Sequence, residues 1–210
     1  MRRLVLIALL LLVGVLVVGD FALRSAAENR ISAAAFNSLE LDSRPDVDIG
    51  GFPFAFRLVS GQIPSVTLAA DRVSREEVVL RDVEVEFRDV QFSIGDLIAQ
   101  DDRSIRLGPG RGVATITSGD ATSAAQANGA PVVLRFSPGA VTVRSVDLGI
   151  QAPARLQVNG SDLTVAPEGE LPAVTVPLPE IAPGVRYRSV EVESGQAVLQ
   201  VRMDPVTLEF

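Results

Sequence analysis

The carboxylate pairs are the first residues whose types and spacing could do chemistry. Asp46-Val47-Asp48 would project two carboxylates from one face of a strand, and Glu76-Glu77 and Asp101-Asp102 concentrate charge in the same way. Such groups could hold a hard cation or supply the acid and base of a glycosidase. Their surroundings select neither. No glycine-bearing calcium loop encloses Asp46 and Asp48, and Glu76-Glu77 reads as a polar turn beside Arg72 and Arg75. Gly108-Pro109-Gly110-Arg111-Gly112 resembles a phosphate loop but lacks the Lys-Ser/Thr that reaches phosphate and magnesium, and strand residues follow it, so it reads as a turn. Asn159-Gly160-Ser161 fits a glycosylation acceptor, yet Asn-Gly between two alternating runs is a strong hairpin signal.

The absences decide more. The 210 residues include no histidine, no cysteine and no lysine, so all 19 basic residues are arginines. That removes a Ser-His-Asp triad, a thiol nucleophile, a Schiff-base lysine, the usual zinc ligands and a disulfide framework. With no tryptophan and one tyrosine, Tyr187, there is no evident aromatic platform for a sugar. The expectation is a protein that is not an enzyme, with no catalytic residue, no metal site and no cofactor. A net charge of −7 argues against nucleic acid as a partner.

The chain has room for one ordinary domain plus an N-terminal segment. Met1-Arg2-Arg3 precedes an apolar run from Leu4 to Val18, followed by Gly19 and Asp20, the layout of a targeting signal. About sixteen residues at about 1.5 Å each reach roughly 24 Å, short of the roughly 30 Å hydrocarbon core. A small-x-small site lies at Ser25-Ala26-Ala27, approached by the charged Asp20 and Arg24. Two outcomes stay open: residues 1–19 act as a signal peptide removed near residue 27, or they remain as a membrane anchor. Either way the remainder, 20–210, is read as a single domain facing outward, in the cell-envelope space at the outer face of the cytoplasmic membrane.

From Asp20 to Leu39 the residues Leu23, Ala27, Ile31, Ala34, Ala35 and Leu39 recur at three- and four-residue steps, which predicts one amphipathic helix with an alanine-rich stripe. After Pro45 the period becomes two. Val83, Val85 and Phe87 alternate with Glu84, Glu86 and Arg88, and Val90 and Phe92 continue the apolar side. Val66 and Leu68, Val132 to Phe136, Val141 to Val146, Leu156 to Val165, and Val190 to Val201 extend the pattern to roughly six to nine antiparallel strands. Ile94 to Gln100 and Ala121 to Ala127 read as helical turns too short for a second layer, the latter with Asp120 or Thr122 as cap. The prolines between residues 166 and 183 exclude a central strand. The echo of Arg81-Asp82-Val83 in Arg88-Asp89-Val90 reads as strand-entry chemistry used twice.

The informative stretch is Val47 to Gly61, where three of the nine phenylalanines, Phe52, Phe54 and Phe56, lie within five positions. Gly50 and Gly51 permit a sharp turn and Pro53 stiffens it. All three rings share a face if the segment is extended, and Phe52 and Phe56 share one if it coils. Read without further context, this is a core plug beneath a sheet.

Asp48-Ile49-Gly50-Gly51-Phe52-Pro53-Phe54, then Gly61 with the strand from Val66 to Ala70, the Leu80-to-Phe92 alternation, and Leu178-Pro179 to Pro183-Gly184-Val185 followed by Ser189-Val190-Glu191-Val192, resemble the actinobacterial LmeA-type phospholipid-binding family over most of the exported region. The resemblance implies an α+β, mainly β fold of tubular lipid-binding type: a long twisted antiparallel sheet wrapped around one principal N-terminal helix, with an acyl-chain cavity between them. It implies a non-enzymatic phospholipid-binding protein of the cell envelope; support of envelope glycolipid maintenance is the role of one branch of the family and stays an open extension. The alternative is a membrane-tethered interaction module that regulates an envelope glycosyltransferase. On the lipid reading, acyl chains meet Phe52, Phe54, Phe56, Leu58, Val59, Leu68, Val83, Val85 and Phe87, with Phe54 the most structural of the phenylalanines. Arg57 and Arg72 hold the head group.

Overall fold

The computed structural model describes residues 2–38, 41–75, 77–93, 95, 104–169, 171–181 and 184–209, with side chains on the first helix from Val13 onward. The turn expected over Ile94 to Gln100 lies almost wholly outside the described residues, as do Asp101-Asp102 and Glu76. Among the described residues, three helices, α1 (Arg2–Ser38), α2 (Phe54–Ser60) and α3 (Ser118–Ala127), accompany thirteen strands. These are β1 (Asp46–Ile49), β2 (Gln62–Arg75), β3 (Val78–Phe92), β4 (Ser104–Leu107), β5 (Gly110–Thr117), β6 (Val132–Ser137), β7 (Ala140–Ser145), β8 (Gln151–Asn159), β9 (Asp162–Pro167), β10 (Val174–Pro177), β11 (Val185–Val192), β12 (Gln196–Met203) and β13 (Val206–Glu209). The count exceeds the six to nine expected because β1, β4, β10 and β13 have four residues each, too few to show a clear alternation.

The fold is α+β and mainly β, with every strand pair antiparallel, and the strands divide between two sheets. The larger has the order β1-β2-β3-β5-β12-β11, with β4 pairing both β3 and β13. The smaller is a meander, β10-β9-β8-β7-β6. Its hairpins form where the turn chemistry predicts: Ser137 pairs Ala140 across Pro138-Gly139, and Asn159 pairs Asp162 across Gly160-Ser161. The proline-rich segment supplies the edge strand β10 and, contrary to the expectation, the end of the interior strand β9, where Pro167 pairs Ala154 at the last ladder position.

The β2–β3 hairpin shapes the larger sheet. On β3 the buried residues are Val78 and Leu80, then Val83, Val85 and Phe87, then Val90, so the buried parity switches twice. β2 switches at the same levels: Ile63, then Val66 with the half-buried Leu68 and Ala70, then Val73. The breaks fall where Asp82 and Asp89 adopt left-handed backbone, at φ 47° and 52°. Aspartate tolerates that region better than a branched residue would. The repeated Arg-Asp-Val is therefore not strand-entry chemistry. It marks two irregular levels inside one strand, between which Val66 to Ala70 and Val83 to Phe87 turn their apolar sides to the same space.

Helix α3 joins the sheets. Ala121, Ala124 and Ala125 are fully buried on one side of it, and it contacts β6 and β10 of the smaller sheet and β3 and β5 of the larger. Alanine on that side permits the close approach. The cap of α3 is Thr117, three residues before Asp120 and five before Thr122: its Oγ1 accepts from Asp120 N at 3.1 Å and donates to Asp120 Oδ2 at 2.6 Å. Arg81 Nε donates to the same carboxylate at 2.8 Å, tying β3 to α3. Burial raises the Asp120 carboxyl, but hydrogen bonds from Arg81 and Thr117 and the arginine charge outweigh it and leave the pKa lowered. A lowered folded value contributes stability that is fully present above the ordinary carboxylate pKa, about 4, and is lost as pH falls from there through the lowered value. Wild type should lose melting temperature on acidification through that window. Asp120→Asn should cost about 1 kcal/mol at pH 7 and flatten this acid limb, as thermal melts at pH 7 and pH 3 would show.

Candidate functional site

Between the two irregular levels of the β2–β3 hairpin lies a cavity of about 260 Å³. β2 contributes Val66, Leu68, Ala70 and Val73, β3 contributes Val83, Val85, Phe87 and Val90, and β4 contributes Ile105 and Leu107. Ile31 of α1, Leu41 and Pro45 after it, and Ile181 beyond β10 complete the wall. All fourteen lining residues are apolar. Ile31, Leu41, Leu68, Ala70, Ile105 and Leu107 are only half-buried, so the space is an open cleft rather than a sealed void. Its volume falls just below the range of about 300–1,000 Å³ usual for small-molecule pockets. It suits a stretch of hydrocarbon chain and leaves a polar head outside. Leu178 and Ile181 are held near the wall in part by Tyr187, whose buried hydroxyl donates to Pro179 O at 2.6 Å. Burial pushes the Tyr187 phenol pKa up, so it remains a neutral donor.

The Gly-Gly-Phe-Pro-Phe segment lies beside this cleft rather than inside it. Gly51, at φ +98°, turns the chain where a side chain would meet Pro64. α2 then begins after Pro53, which offers no side-chain cap. The cap comes from α1: Asp20 Oδ2 accepts from Phe54 N at 2.8 Å and Oδ1 from Ala55 N at 2.7 Å. Asp20, 8% exposed, is the one buried charged residue among the described residues, and it satisfies the first donors of a helix that lacks a local cap. Gly61 closes α2 at φ +68°, donating to Arg57 O and Leu58 O. Asp20→Ala should therefore destabilise by about 1–2 kcal/mol, with Asp20→Asn recovering much of the loss because its amide oxygen can still cap; melting temperatures of both variants check this.

Asp20 opens a seam of polar residues spaced four apart along α1. Arg24 Nη2 donates to Asp48 Oδ2 at 2.6 Å, Glu28 Oε1 accepts from Ile49 N at 3.1 Å, and Ser32 Oγ donates to Pro45 O at 2.6 Å. The apolar stripe read from spacing is only partly used: Ala27 and Ile31 pack on the core, while Leu23 and Ala34 are exposed. Asp48 is thus an ion-pair partner, and no group of three or more potential metal ligands occurs among the described residues.

The structure brings Leu68, Val83, Val85 and Phe87 together in the cleft. Phe54 is buried at 1% exposure, and Leu58 is half-buried against the core. Phe52, Phe56 and Val59 project outward at 63%, 66% and 77% exposure, away from the cleft lining. Arg72 bonds Ser74 and faces Asp42 at 3.6 Å. Arg57 lines a smaller polar cavity with Gln62, Asp89 and Gln91, and Val90 is shared with the apolar cleft. Its Nε is buried and has no hydrogen-bond partner among the described residues. Sequence reasoning missed Ile105 and Leu107, on a strand too short to show alternation, and Ile181, in a proline-rich stretch. Asp20 carried a signal, a carboxylate interrupting an apolar run, but its partner is 34 residues away.

The family model described as LmeA-like phospholipid-binding matches residues 18–202. No curated protein matches the chain. No solved structure matches it either.

Proposed function

The chain belongs to the LmeA-like phospholipid-binding family, and on that premise we propose that it is a non-enzymatic phospholipid holder of the cell envelope, working at the outer face of the cytoplasmic membrane. The observation that carries this reading is the cleft whose fourteen lining residues, among the described residues, are all apolar. One acyl segment enters it, gaining about 0.8 kcal/mol for each methylene removed from water. The head group stays outside, where Arg57, which lines the adjoining polar cavity that shares Val90, supplies charge-assisted hydrogen bonds to phosphate. Arg72 is the weaker candidate, since Ser74 and Asp42 already engage it.

The N-terminal helix is retained as an anchor in this proposal. Cleavage near residue 27 would remove Asp20 and Arg24, which cap α2 and pair with Asp48. Among the residues whose side chains are described, no helix is long and apolar enough to cross a membrane; the run from Leu4 lies mostly before them. A lipid holder fixed at the membrane surface would serve maintenance of envelope glycolipids by keeping a phospholipid at hand.

Native mass spectrometry of the full chain, gently released from its own membrane, tests both points. A defined phospholipid adduct on a chain that still carries residues 1–27 is the expected result. A chain without adduct that takes up no lipid from liposomes would favour a tethered interaction module acting on an envelope glycosyltransferase.

A further inference from the structure

We infer that the face made by Phe56 and Val59 of α2, with Phe52 just before the helix, docks into the head-group boundary of the bilayer beside α1. The inference rests on the anchor reading and adds a second, separate contact. Leu4 to Val18 is about 22 Å of helix, too short for a hydrocarbon core of roughly 30 Å, and Asp20 is the residue that cuts it short. In the folded chain that interruption is removed. The Asp20 carboxylate is turned under α2, where two backbone N–H groups satisfy it. Phe21 and Leu23 stay exposed beyond it, continuing the exposed Val15, Leu16 and Val18. From Leu4 to Leu23 the sequence holds no charged residue other than Asp20, and that length of α1 is about 30 Å, the thickness the core requires.

The same hydrogen bonds fix the level of α2. Asp20 contacts its first turn, so α2 sits beside the end of that apolar stretch. If the stretch crosses the core, α2 lies at the boundary. Its composition suits that place: Phe54 points inward, Phe52, Phe56 and Val59 point outward, and Arg57 is the only charged residue on the helix. Exposed aromatic and aliphatic side chains beside one cation suit the acyl boundary below phosphate groups. α2 runs through Gly61 directly into β2, which lines the cleft, so docking would set the lipid-binding strand next to the membrane.

The absence of cysteine makes the test direct, because any single introduced cysteine is the only thiol. Val59→Cys, Leu16→Cys and Gln157→Cys, the last on an exposed position of β8, are each spin-labelled in the full chain and reconstituted in phosphatidylcholine vesicles containing phosphatidylglycerol. Oxygen concentrates in the membrane and a nickel chelate stays in water. Labels at Val59 and Leu16 should be relaxed several-fold more by oxygen, and the label at Gln157 more by nickel. Leu16 in lipid with Val59 as nickel-accessible as Gln157 would overturn the docking face and leave the anchor standing. Val59 in lipid with Leu16 in water would support docking and sink the anchor. Both in water would overturn both. A Val59 label shielded from both reagents would assign the face to a protein contact, such as a second copy, and overturn the proposal.

Discussion

Filling the cleft with Leu68→Phe and Ala70→Phe together should lower phospholipid capture roughly a hundredfold while leaving the melting temperature within a few degrees of wild type. Both residues line the cleft, both are half-buried, and they lie two apart on β2, so their new rings would project into the same open space. Excluding about four methylenes at about 0.8 kcal/mol each removes about 3 kcal/mol, which is the hundredfold change. Overpacking penalties arise where a neighbour must move, and a partly open cleft limits them. Thr67→Phe, between the two and on the opposite face of the strand, is the control and should leave uptake unchanged. Lipid transfer from labelled vesicles and thermal melts, run in parallel, read both quantities. Unchanged uptake in the double variant would mean that the acyl chain lies elsewhere.

Phe54→Ala should cost about 3–5 kcal/mol, a large share of the roughly 5–15 kcal/mol that holds an ordinary domain folded. Phe54 is 1% exposed, is the largest of the fully buried side chains, and roots α2 in the core. Its loss would leave a cavity beneath a seven-residue helix whose N-terminus depends on a carboxylate from another element. Phe52→Ser and Phe56→Ser, at exposed positions, should change stability by no more than about 0.5 kcal/mol. Denaturant unfolding of the three variants separates the roles. Equal losses for all three would mean that the phenylalanines act as one plug, contrary to the split between one buried ring and two exposed ones.

The two results bear on different parts of the molecule. The cleft is a property of the β2–β3 hairpin, β4 and the pieces laid over them, whereas Phe54 secures the junction between α1 and the sheet. A variant at Phe54 that loses both stability and uptake therefore carries no information about lipid contact. The cleft-filling pair does, because its stability is expected to survive.

Much of the wall of the cleft was legible before any coordinates. Val83, Val85 and Phe87 alternate with charged residues, and Leu68 stands in a similar run, because a half-buried antiparallel strand imposes period two on its own sequence. The Gly-Gly-Phe-Pro-Phe segment announced a sharp turn, although not which ring would point inward. The absence of histidine, cysteine and lysine excluded whole reaction classes without reference to any fold. Three-dimensional structure was required for the rest. Asp82 and Asp89 look like surface carboxylates in sequence, but their left-handed backbone changes the buried parity of β3 and directs two sets of side chains into one space. Asp20 looks like the end of a signal segment, yet it caps α2 and thereby sends Phe52, Phe56 and Val59 outward. Alternation and composition are local and are written within a few residues. A cleft depends on curvature and on closure by Ile31, Leu107 and Ile181, which only the folded chain brings to one place.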